Sequence, residues 1–322
     1  AGSIEGLEVS SQLAWVLPGS WAERLPALES LRGLATVQFR ASQDDAAPLP
    51  CRYELTGQLL QARLDAPRLA RPLTDVRATF QWNNQGFAVD DLTAASGPTT
   101  LRMTCRGAGL SEHAPLQLEA RIRQLEFDEQ LAGLLPQQLA AAWQKFLPAG
   151  RVHADVKLAY DGQGWTPEVV LECLDSSFSY YKFPYRLTQC TGSVVLKDNL
   201  LEADVAAYAG SQPVRMTCRL SDPLGVPCGW VEAVGKNIPF DQKLYAAMSE
   251  ETRAVVRSFD PQGTVDCSYR SWRDDPQSPP RRRLVASLNR IRLRYDKFPY
   301  PMSGVCGTLE MLDDRWTCHD LE

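Results

Sequence analysis

Apolar residues in this chain fall on alternate positions over many short runs. In Val152-His153-Ala154-Asp155-Val156-Lys157-Leu158 every second side chain is apolar, and the same face recurs as Ala35, Val37, Phe39 and as Val265, Cys267, Tyr269. Period two places successive side chains on opposite sides of an extended backbone, so each run predicts a half-buried strand. Turn residues follow, as in Asp161-Gly162-Gln163-Gly164, and then further alternating runs. Val169, Leu171 and Cys173 make one, Val194 and Leu196 the next, and Leu201, Ala203 and Val205 another. Val214, Met216 and Cys218 follow, with Leu101, Met103 and Cys105 as their earlier counterparts and Leu309 and Met311 as the later counterparts of Val194 and Leu196. A last strand, with Leu116, Leu118, Ala120 and Ile122 as its apolar face, precedes a helical stretch. Five to six strands per unit with short connections predict antiparallel pairing.

The helical stretches open at Ser10, Asp128 and Asp241. Ser and Asp oxygens accept from the free N–H groups of a first helical turn. Each stretch runs to a glycine (Gly33, Gly150, Gly263), which suits a helix C-terminus. Pro18 and Pro136 fall at matching places, with Ser249 in the later copy, and either residue can start a second helix. Two short helices per unit are therefore expected, for example 128–135 and 136–147. Their apolar positions, such as Leu131, Leu135, Leu139 and Trp143, recur at three and four.

These elements repeat. The Phe-Asp-x-x-Leu run at Phe127 returns at Phe240, and Gly150 returns at Gly263 with the same offset. Leu101–Gly107 (LRMTCRG) matches Val214–Leu220 (VRMTCRL), and KFPY occurs at Lys182–Tyr185 and again at Lys297–Tyr300. A common register across such markers identifies an internal repeat. The expected organisation is the end of one repeat at 1–33, full repeats at 34–150 and 151–263, and the start of another at 264–322, as though cut from a longer array. The fold class expected is mainly β with short helices (α+β).

An area comparison sharpens this expectation. Six strands of about nine residues give a sheet face of roughly 850 Å² per unit, and about twenty helical residues cover roughly 300 Å² of it. More than roughly 500 Å² of apolar face then needs another partner, more than a soluble monomer commonly leaves open. The sheet either closes on itself as a barrel or sandwich, or carries something apolar.

Composition narrows the function classes. The chain has 322 residues, a net charge of −5 and a pI of about 5.4, which argues against a nucleic-acid partner. No apolar run approaches the roughly 18 residues of a membrane helix. There is no phosphate loop, dinucleotide fingerprint or nucleophile elbow, and no repeated carboxylate pair, so no catalytic residue, metal or cofactor is assigned. Of the three histidines, His153 falls on the polar side of its strand, and Cys318-His319-Asp320 lacks a second ligand pair at zinc spacing. Of the nine cysteines, Cys105, Cys218 and Cys267 share faces with apolar residues and read as small hydrophobes, with cross-strand disulfides the alternative. The aromatic clusters Tyr180, Tyr181, Phe183, Tyr185 and Tyr295, Phe298, Tyr300 read as core or rim packing. Arg281-Arg282-Arg283 with Arg290, Arg292 and Arg294 reads as a solvated basic strand face, with anionic lipid headgroups as the other reading.

The Leu-Pro-x-Gly ahead of a strand (Leu147–Gly150), the Gly-x-Val/Leu-x-Leu/Met strands (Gly192–Leu196 and Gly307–Met311) and the tandem antiparallel units resemble the AsmA/TamB-type envelope proteins of the repeating β-groove, bridge-like lipid-transfer group. The resemblance implies an elongated curved sheet whose apolar groove carries phospholipid acyl chains across the periplasm between two membranes, without catalysis. It also implies a membrane anchor outside this segment and leaves any envelope protein partners unspecified. The groove-lining candidates are Val37, Phe39, Leu101, Met103, Val152, Val156, Leu158, Leu171, Val194, Leu196, Leu201, Val205, Val214, Met216, Leu309 and Met311. The competing expectation is a structural or adhesive β-repeat module with closed cores and no ligand.

Overall fold

The structure, a computed structural model, describes residues 1–10, 30–43, 51–65, 69, 71–109, 113–135, 137–313 and 315–322. Among them the chain is mainly β with short helices. The strands are β1 (Gly2–Val9), β2 (Leu31–Gln43), β3 (Cys51–Leu64), β4 (Leu73–Asn83), β5 (Gly86–Ser96), β6 (Thr99–Gly107), β7 (Leu116–Phe127), β8 (Ala149–Tyr160) and β9 (Trp165–Tyr180). They continue with β10 (Phe183–Lys197), β11 (Leu200–Ala209), β12 (Gln212–Ser221), β13 (Cys228–Pro239), β14 (Gln262–Arg273), β15 (Arg281–Tyr295), β16 (Phe298–Leu312) and β17 (Arg315–His319). The helices are α1 (Glu129–Leu134), α2 (Gln137–Phe146), α3 (Gln242–Ala247) and α4 (Glu250–Ser258). Six strands precede each described helix pair, β2–β7 and then β8–β13, as the repeat predicts. The first expected helix pair, opening at Ser10, falls on residues 11–29, outside the described residues, and Gly33, its expected end, lies inside β2.

The chain divides into two compact units. The first comprises Ala1–Leu134 with His153–Val170, and the second Leu135–Val152 with Leu171–Glu322. In the first, β1 to β7 pair antiparallel with their chain neighbours. In the second, β10 to β17 do the same. Two-residue turns join β4 to β5, β5 to β6, β9 to β10, β10 to β11, β11 to β12 and β15 to β16, and local pairing of this kind needs no crossover connection.

The helix starts follow the expected chemistry. Asp128 Oδ1 accepts from Leu131 N at 2.8 Å, and Asp241 Oδ1 accepts from Leu244 N at the same distance. Ser249 Oγ accepts from Thr252 N and caps α4. The helix ends differ from expectation. Gly150 and Gly263 do not terminate helices; they lie inside β8 and β14. The left-handed residues at the helix ends are Leu147 (φ 41°) and Asp260 (φ 41°), which hold equivalent places in successive repeats. Leu147 N donates to Trp143 O, and Asp260 N to Arg257 O. Gly150 serves close strand approach instead. At φ 98°, a Cβ on it would lie 2.4 Å from the Asp175 carbonyl oxygen.

A second departure from strict alternation runs through the strands. At seven places, apolar-face residues are three apart rather than two, and the third residue of each step has positive φ. These are Gly6, Asp75, Asp91, Gln124, Gln189, Asn237 and Arg290. At Gly6, Asp91, Gln189, Asn237 and Arg290 the register shifts across the step. Each is a β-bulge, which bends its strand and returns the next side chain to the same face. The repeat even supplies a partner for the N–H that leaves the ladder. Gln124 N donates to His153 Nδ1 at 3.1 Å, and at the same place in the next repeat Asn237 N donates to Asp266 Oδ1 at 2.7 Å. His153 is therefore not merely solvated; it caps a bulge.

The buried cores are small and sit at particular ends of the strands. In the second unit, Leu244 and Ala247 of α3 close over Tyr185, Ala209, Ile238, Val265, Leu288 and Ile291. In the first unit the buried residues form the groups Val9, Ala35, Val37 and Ala62, Val76, Ala94. Helix α1, unlike α3, buries no residue.

The bulge geometry sets a stability order. A β-branched residue in the left-handed region costs roughly 1–2 kcal/mol, whereas glycine adopts it freely. Urea denaturation should show Asn237→Val losing about that much and Asn237→Gly clearly less; equal losses would contradict the bulge account. A pH test bears on Asp266. The Asn237 N–H, and then the Asn289 amide at 2.9 Å, hold its carboxyl below the usual range. A depressed folded value means the contribution is complete above the unfolded value of about 3.9 and disappears as pH falls through the folded value. The stability advantage of the native chain over Asp266→Ala should therefore persist at neutral pH and shrink only below about pH 4.

Candidate functional site

In the second unit, cross-strand register joins apolar side chains into rows that run from strand to strand. One row is Val205, Met216, Ala233, Tyr269, Leu284 and Met311 on β11, β12, β13, β14, β15 and β16. Beside it run Leu196, Leu201 and Leu220 on one side, and Ala207, Val214, Cys267, Ala286 and Leu309 on the other. The row nearest α3 merges into the buried cluster, against which Val214, Cys267, Ala286 and Leu309 pack. Leu196, Leu201, Met216, Leu220, Tyr269, Leu284 and Met311 are half-buried and join no buried cluster among the described residues. Their partial shielding comes from neighbours on the same face.

The first unit repeats this arrangement. Val37, Gly57, Phe80, Val89, Cys105 and Leu118 form one row, and Phe39, Leu55, Trp82 and Phe87 another. Leu92 with Met103 and Ala120, and Ala94 with Leu101 and Ile122, continue the face past the bulge at Asp91. On β8, Val156 and Leu158 are half-buried, while the alternate residues Asp155 and Lys157 pair with Arg123 and Glu119 of β7.

Of the residues singled out from sequence, register thus places Val37, Phe39, Leu101 and Met103 on one face in the first unit. It places Val194, Leu196, Leu201, Val205, Val214, Met216, Leu309 and Met311 on one face in the second. Leu171 is half-buried between exposed Val170 and Glu172. Accessibility varies along the set. Phe39 is 44% exposed, whereas Val152 is at 0% and filled in by its own chain.

The opposite face is charged. Arg215 makes two bonds to Asp204, at 2.6 and 3.0 Å, and Arg283 lies 2.7 Å from Glu310. Arg270 stacks over Trp230 and Arg281 over Trp272. Exposed pairs of this kind contribute at most about 1 kcal/mol each; their weight here is that they mark which side faces water. A shallow depression in each unit also lies on this side, beside Arg215, Glu232 and Lys236 in the second unit and beside Arg77, Arg102 and Arg121 in the first.

The second unit curls. Burial pushes the Tyr180 phenol up, Tyr181 and Tyr269 act the same way, and the Arg282 guanidinium opposes them. Tyr269 is on β14, five strands beyond β9, so a flat sheet would set the two backbones roughly 24 Å apart. Charges act on one another in salt water over about 10 Å. The closeness of Tyr180 to β14 and β15 follows if the sheet bends, as the bulges require.

Sequence reasoning missed two features of this site. The three-residue apolar steps, such as Leu288 to Ile291, were the legible signal of the bulges. The reading of the arginines as one basic stripe needs a correction, because Arg282 shares the face of Leu284 while Arg281, Arg283, Arg292 and Arg294 lie on the other side. The bulge at Arg290 changes parity, so Ile291 is buried at 2% and Arg292 is exposed on the polar side.

The described cysteines, Cys105, Cys173, Cys190, Cys218, Cys228, Cys267, Cys306 and Cys318, are free thiols. His319 Nε2 lies 3.5 Å from Glu310. No helix among the described residues is long and apolar enough to cross a membrane. Comparison with protein-family models, with curated proteins and with solved structures finds no match.

Thiol reactivity tests the placement of the faces. Burial raises the Cys190 thiol to about 11, and the side chain is 1% exposed, whereas Cys318 is exposed. At about pH 8, alkylation followed by peptide mass spectrometry should modify Cys318 rapidly and leave Cys190 intact until the protein unfolds. Rapid modification of Cys190 in the native state would contradict the packing around it.

Proposed function

We propose that this chain is a non-enzymatic lipid-binding and transfer module, in which the apolar face of each unit carries phospholipid acyl chains. The observation that carries this reading is the row Met216, Ala233, Tyr269, Leu284 and Met311, continuous by register, half-buried and joined to no buried cluster among the described residues. Contiguous apolar faces are where proteins meet apolar ligands or partners. An acyl chain fits it on physical grounds. Each buried methylene contributes about 0.8 kcal/mol, the face offers no directional bond that would fix one position, and the headgroup can remain in water. With no fixed polar partner, a chain can slide from row to row. The AsmA/TamB resemblance supports the same reading and adds a setting, the periplasm of an envelope, with membrane anchoring outside this segment.

The second reading, a structural β-repeat module with closed cores, is favoured by one observation. Helix α3 seals part of the face with a dry cluster of buried side chains. That cluster occupies one end of the strands, and the rows from Met216 to Leu201 lie beyond it.

Native mass spectrometry of gently purified protein separates the two readings. Co-purifying phospholipid is expected, and its consistent absence would favour closed modules. Val156→Glu and Leu196→Glu, both at half-buried positions, should each cut lipid occupancy several-fold while lowering stability by less than about 2 kcal/mol. Loss of lipid only in step with unfolding would point to an ordinary core.

A further inference from the structure

Two arginines interrupt the apolar face of the second unit at one end of its strands. Arg273 follows Tyr269 and Ser271 on β14 at alternate positions, and Arg282 stands opposite Ser271 on β15, two residues before Leu284. Arg270, Arg281 and Arg283 lie on the other face, and each has a partner there: Trp230, Asp313 and Glu310 respectively. Arg273 and Arg282 make no ion pair among the described residues. Asp313, which pairs with Arg281, accepts the backbone N–H of Arg282 at 2.9 Å and attracts its guanidinium without a direct bond. The Nε of Arg273 is buried with no acceptor.

The two charges are diagonal neighbours on one face, close enough to repel, and a buried donor without an acceptor is rare in a folded protein. The repeat does not demand the cation. The equivalent position one repeat earlier is Tyr160, which satisfies itself by donating to Gly162 O at 3.0 Å. An anion between the arginines would relieve both the repulsion and the empty donor. Guanidinium groups match phosphate oxygens in pairs, and the adjoining side chains, Leu220, Met216 and Leu284, are apolar. The site therefore joins a place for a phosphate to a place for hydrocarbon.

Resting on the lipid-binding reading above, we infer that Arg273 and Arg282 seat the phosphate of an anionic glycerophospholipid whose acyl chains lie on the adjoining apolar rows. A zwitterionic lipid fits less well, because its own quaternary ammonium would be held beside two guanidinium groups.

The test is lipid competition on the full chain. Delipidated protein is equilibrated with mixed micelles of phosphatidylglycerol and phosphatidylcholine of matched acyl chains, and the bound lipid is read by native mass spectrometry. Phosphatidylglycerol should be preferred by roughly tenfold, the scale of one charge-assisted hydrogen bond. Arg273→Gln/Arg282→Gln should abolish the preference, lowering phosphatidylglycerol loading by more than phosphatidylcholine loading. Arg282→Gln alone, on an exposed side chain, should reduce the preference and guards against misfolding of the double variant. Arg292→Gln removes the same charge from the opposite face and should leave the preference intact. Equal loading of both lipids by the native chain, or a preference that survives in the double variant and in Arg282→Gln, would overturn the inference while leaving the lipid-binding reading in place. Failure of both lipids to load would overturn that reading and this inference with it. Displacement of bound phosphatidylglycerol by acyl-free glycerophosphate at equal concentration would also overturn it, as a site for a free phosphate compound.

Discussion

A sheet with one apolar face must have that face covered, and the sequence of each repeat supplies few residues to do so. Roughly twenty helical residues stand against six strands. In the second unit those residues are spent on one end, where Leu244 and Ala247 of α3 meet Ile238, Val265, Leu288 and Ile291. Val205 and Ala207 join a second buried cluster with Cys190, while Leu196, Leu201, Met216, Tyr269, Leu284 and Met311 join none among the described residues. The charged opposite face, with Asp204–Arg215 and Glu310–Arg283 pairs, cannot be turned inward without stripping those charges of water. Because its polar side cannot become a core, the apolar side is the one that must be covered, and on the proposed reading lipid does so.

The β-bulges keep that surface usable. A strand that alternates strictly for a dozen residues stays nearly straight apart from its twist. Each inserted left-handed residue bends the strand and preserves the face on both sides of the bend. The cost of leaving an N–H outside the ladder is met by His153 in one repeat and by Asp266 in the next. Two different side chains at equivalent positions perform one structural task, so the shared requirement is an acceptor rather than a particular residue.

Much of the fold was legible in the residues. Alternation gave the strands, and the capping oxygens of Asp128, Asp241 and Ser249 marked where helices begin. What escaped was local backbone geometry. Gly150 and Gly263 looked like helix caps by position, yet that task falls to Leu147 and Asp260; aspartate tolerates the left-handed region, but leucine does not advertise it. Bulges hid for a related reason: Gln, Asn, Asp and Arg occupy them as well as Gly, and only the three-residue apolar step betrays them. The candidate face was legible wherever alternation held. It was lost in β15, where simple alternation sets Arg281 and Arg283 opposite Arg292 and Arg294, whereas the bulge at Arg290 returns all four to the polar face and leaves Arg282 on the apolar one.

The central claim is that acyl chains occupy the rows beside Met216 and not the other side of the same strand. A photoreactive benzophenone side chain placed at Met216, and separately at Thr217 on the opposite face, tests it within one residue. Irradiation of protein bound to phospholipid should give a lipid adduct at position 216 and essentially none at 217. Adducts only to protein at position 216, or equal lipid labelling at the two positions, would contradict the account.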